Sequence, residues 1–136
     1  MIDIILITPD ELQVQTLKYL LEFSFNVSKH SHSEGFVITG ILSSLIIEPG
    51  DVESYYSVEE IETIRAHILD PRYYIVRFRH DEERLLEKVL STLSSFDDNL
   101  LLDDDHGHIV RMGDFLRAIR DNYDINWMNI IAYLSY

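Results

Sequence analysis

The sequence predicts an α+β fold: a single-domain sandwich of a mainly antiparallel sheet with helices packed on one side. Three observations lead there. Candidate elements follow in the order β-α-β-β-β-α-β-α-β-β-α, which mixes hairpins with crossovers, as antiparallel sheets with segregated helices do. A chain of 136 residues suits one core, which at that size buries roughly two-thirds of the surface the unfolded chain exposes. With 46% apolar residues, three prolines and five glycines, the chain is neither disordered nor divided by a long linker.

The opening "MIDIILITPDEL" reads as a buried strand from Ile2 to Ile7. Thr8 as a cap, Pro9 in the first helical position and Glu11 three residues after the cap predict a helix from Pro9 to about Phe23. Leu17, Leu20 and Leu21 form its apolar stripe. From Phe25 to Glu48 the runs "FNV", "FVITGIL" and "SLIIE" are punctuated by polar turns and predict two or three antiparallel strands. Ser57 and Glu60 make a capping box for a helix from Val58 to Leu69, with Tyr56 placed to staple onto Ile61 and Pro71 ending it.

The segment "RYYIVRFRH" is the clearest strand, with Tyr74, Val76 and Phe78 on its core face and Tyr73, Ile75, Arg77 and Arg79 on the other. The two arginines are expected to balance neighbouring acids. A helix capped by Asp81 then runs to about Ser95 on a stripe of Leu85, Leu86, Val89, Leu90 and Leu93. Strands "LLL" and "HIVRM" flank a turn, and a helix from Asp114 to about Asn122 follows. The apolar tail around Trp127 and Tyr133 suits a helix or a strand, and a helix packed on the sheet is the reading taken.

Composition removes whole classes of function. Without cysteine there are no disulfides, thiolate zinc sites or thiol catalysis. No apolar run reaches the roughly 20 residues that span a bilayer and no signal peptide is recognisable, so a cytoplasmic protein without membrane association is expected. A net charge of -13 opposes nucleic-acid binding and steers cationic protein partners instead. Sequence signatures of nucleophile elbows, zincins, phosphate loops and dinucleotide sites are absent, so no enzyme and no cofactor is expected.

Two segments hold the candidate functional groups. The first, "LLLDDDHGHIVRMGDFL", fails as a calcium loop: with Gly107 in the sixth position, the first falls on Leu102. His106 and His108, mirrored by His30 and His32, leave open a transition-metal site of four histidines, beside the simpler reading of a hairpin tip with solvated histidines. Adjacent aspartates repel one another when buried, so at least two of Asp103, Asp104 and Asp105 are expected to face water. The second, "EPGDVESYYSVEEIE", carries six acids and no Lys or Arg, with Tyr55 and Tyr56 among them. Carboxylates pair with Arg and Lys, and tyrosine rings add contact area at low entropic cost, so this loop suits a basic cleft; a merely solvated helix start is the alternative.

From Tyr73 to Leu116 the chain resembles small bacterial immunity proteins that accompany polymorphic or contact-dependent toxins. The resemblance lies in a strand, a leucine-striped helix and a short strand running into Asp103, Asp105, His106, Gly107, Gly113, Asp114 and Phe115. It implies Gly107 at the chain reversal, Asp114 as a cap and Phe115 as a core anchor. It also implies a protein that neutralises a cognate toxin, often a cationic nuclease, and an acidic single domain suits that role. The partner-binding residues expected are Asp51, Glu53, Tyr55, Tyr56 and Glu59, then Asp104 and Asp105. The alternatives are an adaptor or regulatory domain, as a homodimer through the tail, and a metal-dependent enzyme through the four histidines.

Overall fold

The computed structural model describes residues 2–30 and 33–121, so the tail around Trp127 and Tyr133 lies outside the described residues. They form an α+β domain built on a seven-stranded sheet in which every neighbouring pair is antiparallel. The strands are β1 (Ile2–Pro9), β2 (Asn26–Lys29), β3 (Phe36–Thr39), β4 (Ser44–Pro49), β5 (Pro71–Phe78), β6 (Leu101–Asp103) and β7 (Ile109–Arg111). Their order is β2-β3-β4-β5-β1-β6-β7, which places β2 and β7 at the edges. The helices are α1 (Val14–Glu22), α2 (Val58–His67), α3 (Glu83–Phe96) and α4 (Met112–Asp121).

The β1–β5 ladder is the spine of the sheet, running from Ile2 opposite Phe78 to Pro9 opposite Pro71. It also explains why α1 starts later than Thr8, Pro9 and Glu11 predict. Pairing with β5 carries β1 on to Pro9, and a turn closed by Leu12 N–H on the Pro9 carbonyl (3.1 Å) intervenes before Val14. Thr8 is buried and donates its hydroxyl to the Pro9 carbonyl, capping nothing. The Tyr74 hydroxyl donates to the Leu12 carbonyl and fixes that turn; burial pushes this phenol up to about 12.

The main core lies between one sheet face, with Ile4, Leu6, Ile38, Ile47, Tyr74, Val76 and Phe78, and the stripes of α1, α3 and α4. Leu86, Val89, Leu90 and Leu93 of α3 are all buried, as their helical spacing predicts, each worth about 1.5–3 kcal/mol relative to exposure. Phe115 anchors α4 in the same core, as expected.

The opposite face is covered too, which corrects the expectation that all helices share one side. Ile5, Ile7, Tyr73, Leu101 and Ile109 pack there against Val52, Ile64 and Ile68 to form a second core under α2. The capping box of α2 is present on both sides: Glu60 N–H donates to Ser57 Oγ at 3.1 Å, and Ser57 N–H to Glu60 Oε1 at 2.8 Å. The helix ends at His67, because Ile68 turns extended and leaves Leu69 exposed. Tyr56 packs on the second core, with its hydroxyl committed to Asp103.

Further capping expectations are corrected. Asp81 stays exposed beside Arg79, and the start of α3 is held by Glu82, which is only 3% exposed. Its carboxylate accepts from the N–H of Ser44, at the start of β4, and from the N–H of Arg79 at 2.8 Å. Asp114 lies inside the first turn of α4, paired with Arg117 at 3.7 Å, because the helix begins at Met112 directly after β7. Glu82→Ala is expected to destabilise the domain by about 2 kcal/mol in urea unfolding, because two backbone N–H groups lose a charged acceptor.

Candidate functional site

The second face of the sheet brings together the two segments that the sequence sets about fifty residues apart. After β4 the chain crosses this face as a loop held at four points. Gly50 N–H donates to the Tyr73 carbonyl at 3.1 Å, and Val52 is buried in the second core. Arg65 of α2 pairs with Glu53 at 2.8 Å. The Tyr56 hydroxyl donates to Asp103 Oδ2 at 2.6 Å, and its ring packs on Tyr73 at a centroid distance of 5.8 Å. Between these anchors a 3-10 turn, Glu53–Tyr55, lifts Tyr55 outward to 83% exposure.

The hairpin tip between β6 and β7 is built around its own carboxylates. Asp103 Oδ1 accepts from the N–H groups of Asp105 (3.0 Å) and Gly107 (3.1 Å). Asp104 Oδ1 accepts from His106 N–H (2.9 Å) and His108 N–H (3.3 Å), and its Oδ2 meets His108 Nδ1 at 2.6 Å. The reversal uses two positive φ angles, 69° at Asp105 and 82° at Gly107. A Cβ at Gly107 would run into the Glu60 carboxylate, so the tip lies directly against the start of α2.

Asp103 and Asp104 are therefore buried, at 1% and 3% exposure, and Asp105 alone of the three is exposed. The expectation that at least two would face water is corrected. Strand alternation separates the first two carboxylates, and backbone N–H groups supply the solvation that water would. Their electrostatics diverge. Burial pushes the Asp103 carboxyl up to about 6, against the Tyr56 and Gly107 hydrogen bonds, with neighbouring Asp104 adding to the rise. At Asp104 burial works in the same direction but is outweighed by the bonds from His108 and from the backbone of His106 and His108, which hold the carboxyl below its ordinary range. Tyr56 is pushed up by burial and by donation to Asp103, and stays a neutral donor.

Of the expected partner-binding residues, Asp51, Tyr55, Glu59 and Asp105 are exposed, and Tyr55 and Asp105 line one cleft. Asp51, Glu59 and Asp105 form no ion pair among the described residues. Glu53 is partly neutralised by Arg65, Tyr56 serves as an internal tie, and Asp104 is buried and enclosed by its own turn. Ile5, Val52, Tyr55, Tyr56, Glu60 and Asp103 contribute to a cleft between loop and tip of about 350 Å³. Arg77 pairs with Asp3 (3.4 Å) and Glu48 (3.2 Å), and Arg79 with Asp81 (3.5 Å) and Glu82 (3.4 Å), as their strand positions predict.

Asp103, Glu60 and Tyr73 are structural members of the site that sequence reasoning did not select. Alternation from Leu101 was the signal for Asp103, and the capping box was the signal for Glu60. The four-histidine site is not assembled: His30 follows edge strand β2, and five inter-strand steps, about 24 Å, separate that strand from β6. His32 lies outside the described residues, and among the described residues no three His, Asp or Glu side chains are gathered to hold a metal ion. No helix among them is long and apolar enough to cross a membrane.

No family model, no curated protein and no solved structure matches the chain.

Proposed function

We propose that the protein is an immunity or inhibitor protein of the bacterial cytoplasm that binds a cognate, basic toxin domain and neutralises it by covering a functional surface. One observation carries the reading. The Tyr56–Asp103 hydrogen bond joins the acidic loop to the hairpin tip, so that exposed Tyr55 and Asp105 line one cleft, with Asp51 and Glu59 exposed on the chain to either side of Tyr55. Because the loop is tied down at Gly50, Val52, Glu53 and Tyr56, little ordering entropy remains to be lost on binding. A net charge of -13 steers a cationic partner toward it and sets its orientation. A tyrosine ring that can be covered by a partner, with contacts around it that exclude water, is the usual make-up of an interface anchor.

The test is co-purification with a basic protein domain encoded by a neighbouring gene. Asp51→Lys combined with Glu59→Lys is expected to weaken that complex at least tenfold and mainly to slow association. Tyr55→Ala is expected to weaken it by a similar factor through faster dissociation, with Tm unchanged because the ring is exposed. Unchanged affinity in both variants overturns the assignment of this face.

A further inference from the structure

Of the eight large apolar side chains exposed among the described residues, four belong to two neighbouring segments. Tyr19 and Phe23, on the outer face of α1, are 61% and 71% exposed, with their rings edge to face at 5.1 Å. Ile41 and Leu42 are 99% and 89% exposed. They hold the two central positions of the β3–β4 turn, which Gly40 N–H closes on the Ser43 carbonyl at 2.7 Å. That turn is braced on the start of α3, because Ser44 N–H donates to buried Glu82 and Leu85 lies against Gly40. The tip is therefore held in place while its side chains stand in water. The β2–β3 register sets Asn26 opposite Thr39. Phe23, three residues before Asn26, and Ile41, two after Thr39, thus lie at the same end of that hairpin.

Charge singles out the same part of the chain. Residues 12–47 hold Lys18 and Lys29 against Glu22 and Glu34 and are neutral as a set, so all of the net charge of -13 falls on the remaining residues. Two copies of so acidic a chain repel each other, least where neither carries excess charge. The four side chains offer roughly 400–500 Å² of apolar surface per copy. Paired across a two-fold axis and rimmed by polar neighbours, they reach the roughly 1,200 Å² at which stable, specific interfaces begin. We infer that this end of the molecule is the contact surface of a homodimer, in which Ile41 and Leu42 of each copy cover Tyr19 and Phe23 of the other. The contact is apolar and neutral where the proposed toxin face is acidic. It does not rest on a basic partner, and it holds or fails independently of the immunity reading.

The experiment is sedimentation equilibrium of the full chain over a wide range of concentration, at low and at high salt. The mass is expected to rise from that of one chain toward that of two. It should rise at lower protein concentration in high salt, because screening relieves the repulsion between the acidic parts and leaves an apolar contact in place. Ile41→Glu and Phe23→Glu should each weaken dimerisation at least tenfold, since each buries a charge in the contact, with Tm unchanged because both side chains are exposed. Leu42→Ser, a milder change at the same tip, should weaken it at least threefold. Leu69→Glu, at an exposed leucine after α2, and Trp127→Glu in the tail should leave it unaltered. A monomer at every concentration overturns the inference, as does a dimer that persists in the Ile41 or Phe23 variant, weakens with salt, or is lost in the Leu69 or Trp127 variant. A monomer that binds phosphatidylcholine vesicles and loses that binding with Ile41→Glu overturns it in favour of a lipid surface.

Discussion

Asp103→Ala is expected to destabilise the domain by about 3–5 kcal/mol in urea unfolding and to release the acidic loop from the hairpin tip. Three donors lose their acceptor at once: the N–H groups of Asp105 and Gly107 and the hydroxyl of Tyr56. Each sits where water replaces the lost bond poorly. The same residue sets a pH signature. Its carboxyl is raised from 3.8 to about 6 on folding, so the native state holds the proton more tightly than the unfolded chain does. This contribution is fully present below the unfolded value of 3.8 and is lost as pH rises through about 6. Asp104 has the opposite sign: its lowered carboxyl adds stability above the ordinary carboxylate range, which is lost on acidification below it. Urea midpoints are therefore expected to fall between about pH 4 and pH 6.5, and Asp103→Asn, which keeps Oδ1 as an acceptor, should flatten that slope. An unchanged slope in the variant would locate the dependence elsewhere.

Gly107→Val is expected to cost about 3 kcal/mol, seen as a lowered Tm and as faster amide exchange at Asp105 and His108. A φ of 82° is costly for any side chain and most so for a β-branched one. The added atoms also meet the Glu60 carboxylate, whose Oε1 is accepting from Ser57 N–H, so the cap of α2 is strained together with the tip. If the proposed face is the binding face, affinity for a basic partner should fall as well, because Asp105 is carried away from Tyr55, with which it lines one cleft. Gly107→Ala should show the same effects at smaller size.

How much of this was legible depended on the range of the interaction. The faces of β5, the stripe of α3 and the Ser57–Glu60 box are set by neighbours within four residues, and each is found as read. The start of α1 depends on β5, sixty residues away, and was misread, because Thr8, Pro9 and Glu11 satisfy a local rule that the ladder overrides. The second helical layer was written in "IILI", which buries Ile4, Ile5, Leu6 and Ile7 without alternation and so calls for cover on both sides. In the candidate site, the acidic loop and its tyrosines stood out from composition alone. Burial of Asp103 and Asp104 did not, because charge repulsion is readable from sequence while the converging backbone N–H groups exist only in the folded turn. Tyr73 looked like an ordinary strand residue; the approach of its hydroxyl to Glu53 is a property of the packed face.

The order of strands also bears on synthesis at the ribosome. The meander β2-β3-β4 joins near neighbours, whereas the first strand, β1, finds its partners only in residues 71–78 and 101–103. Its run of isoleucines and leucine therefore waits, without those partners, until residues 71–78 have been added, and the ladder that closes it is non-local and slow to form. That interval, rather than the finished domain, is when this molecule is most exposed to aggregation and most dependent on chaperones.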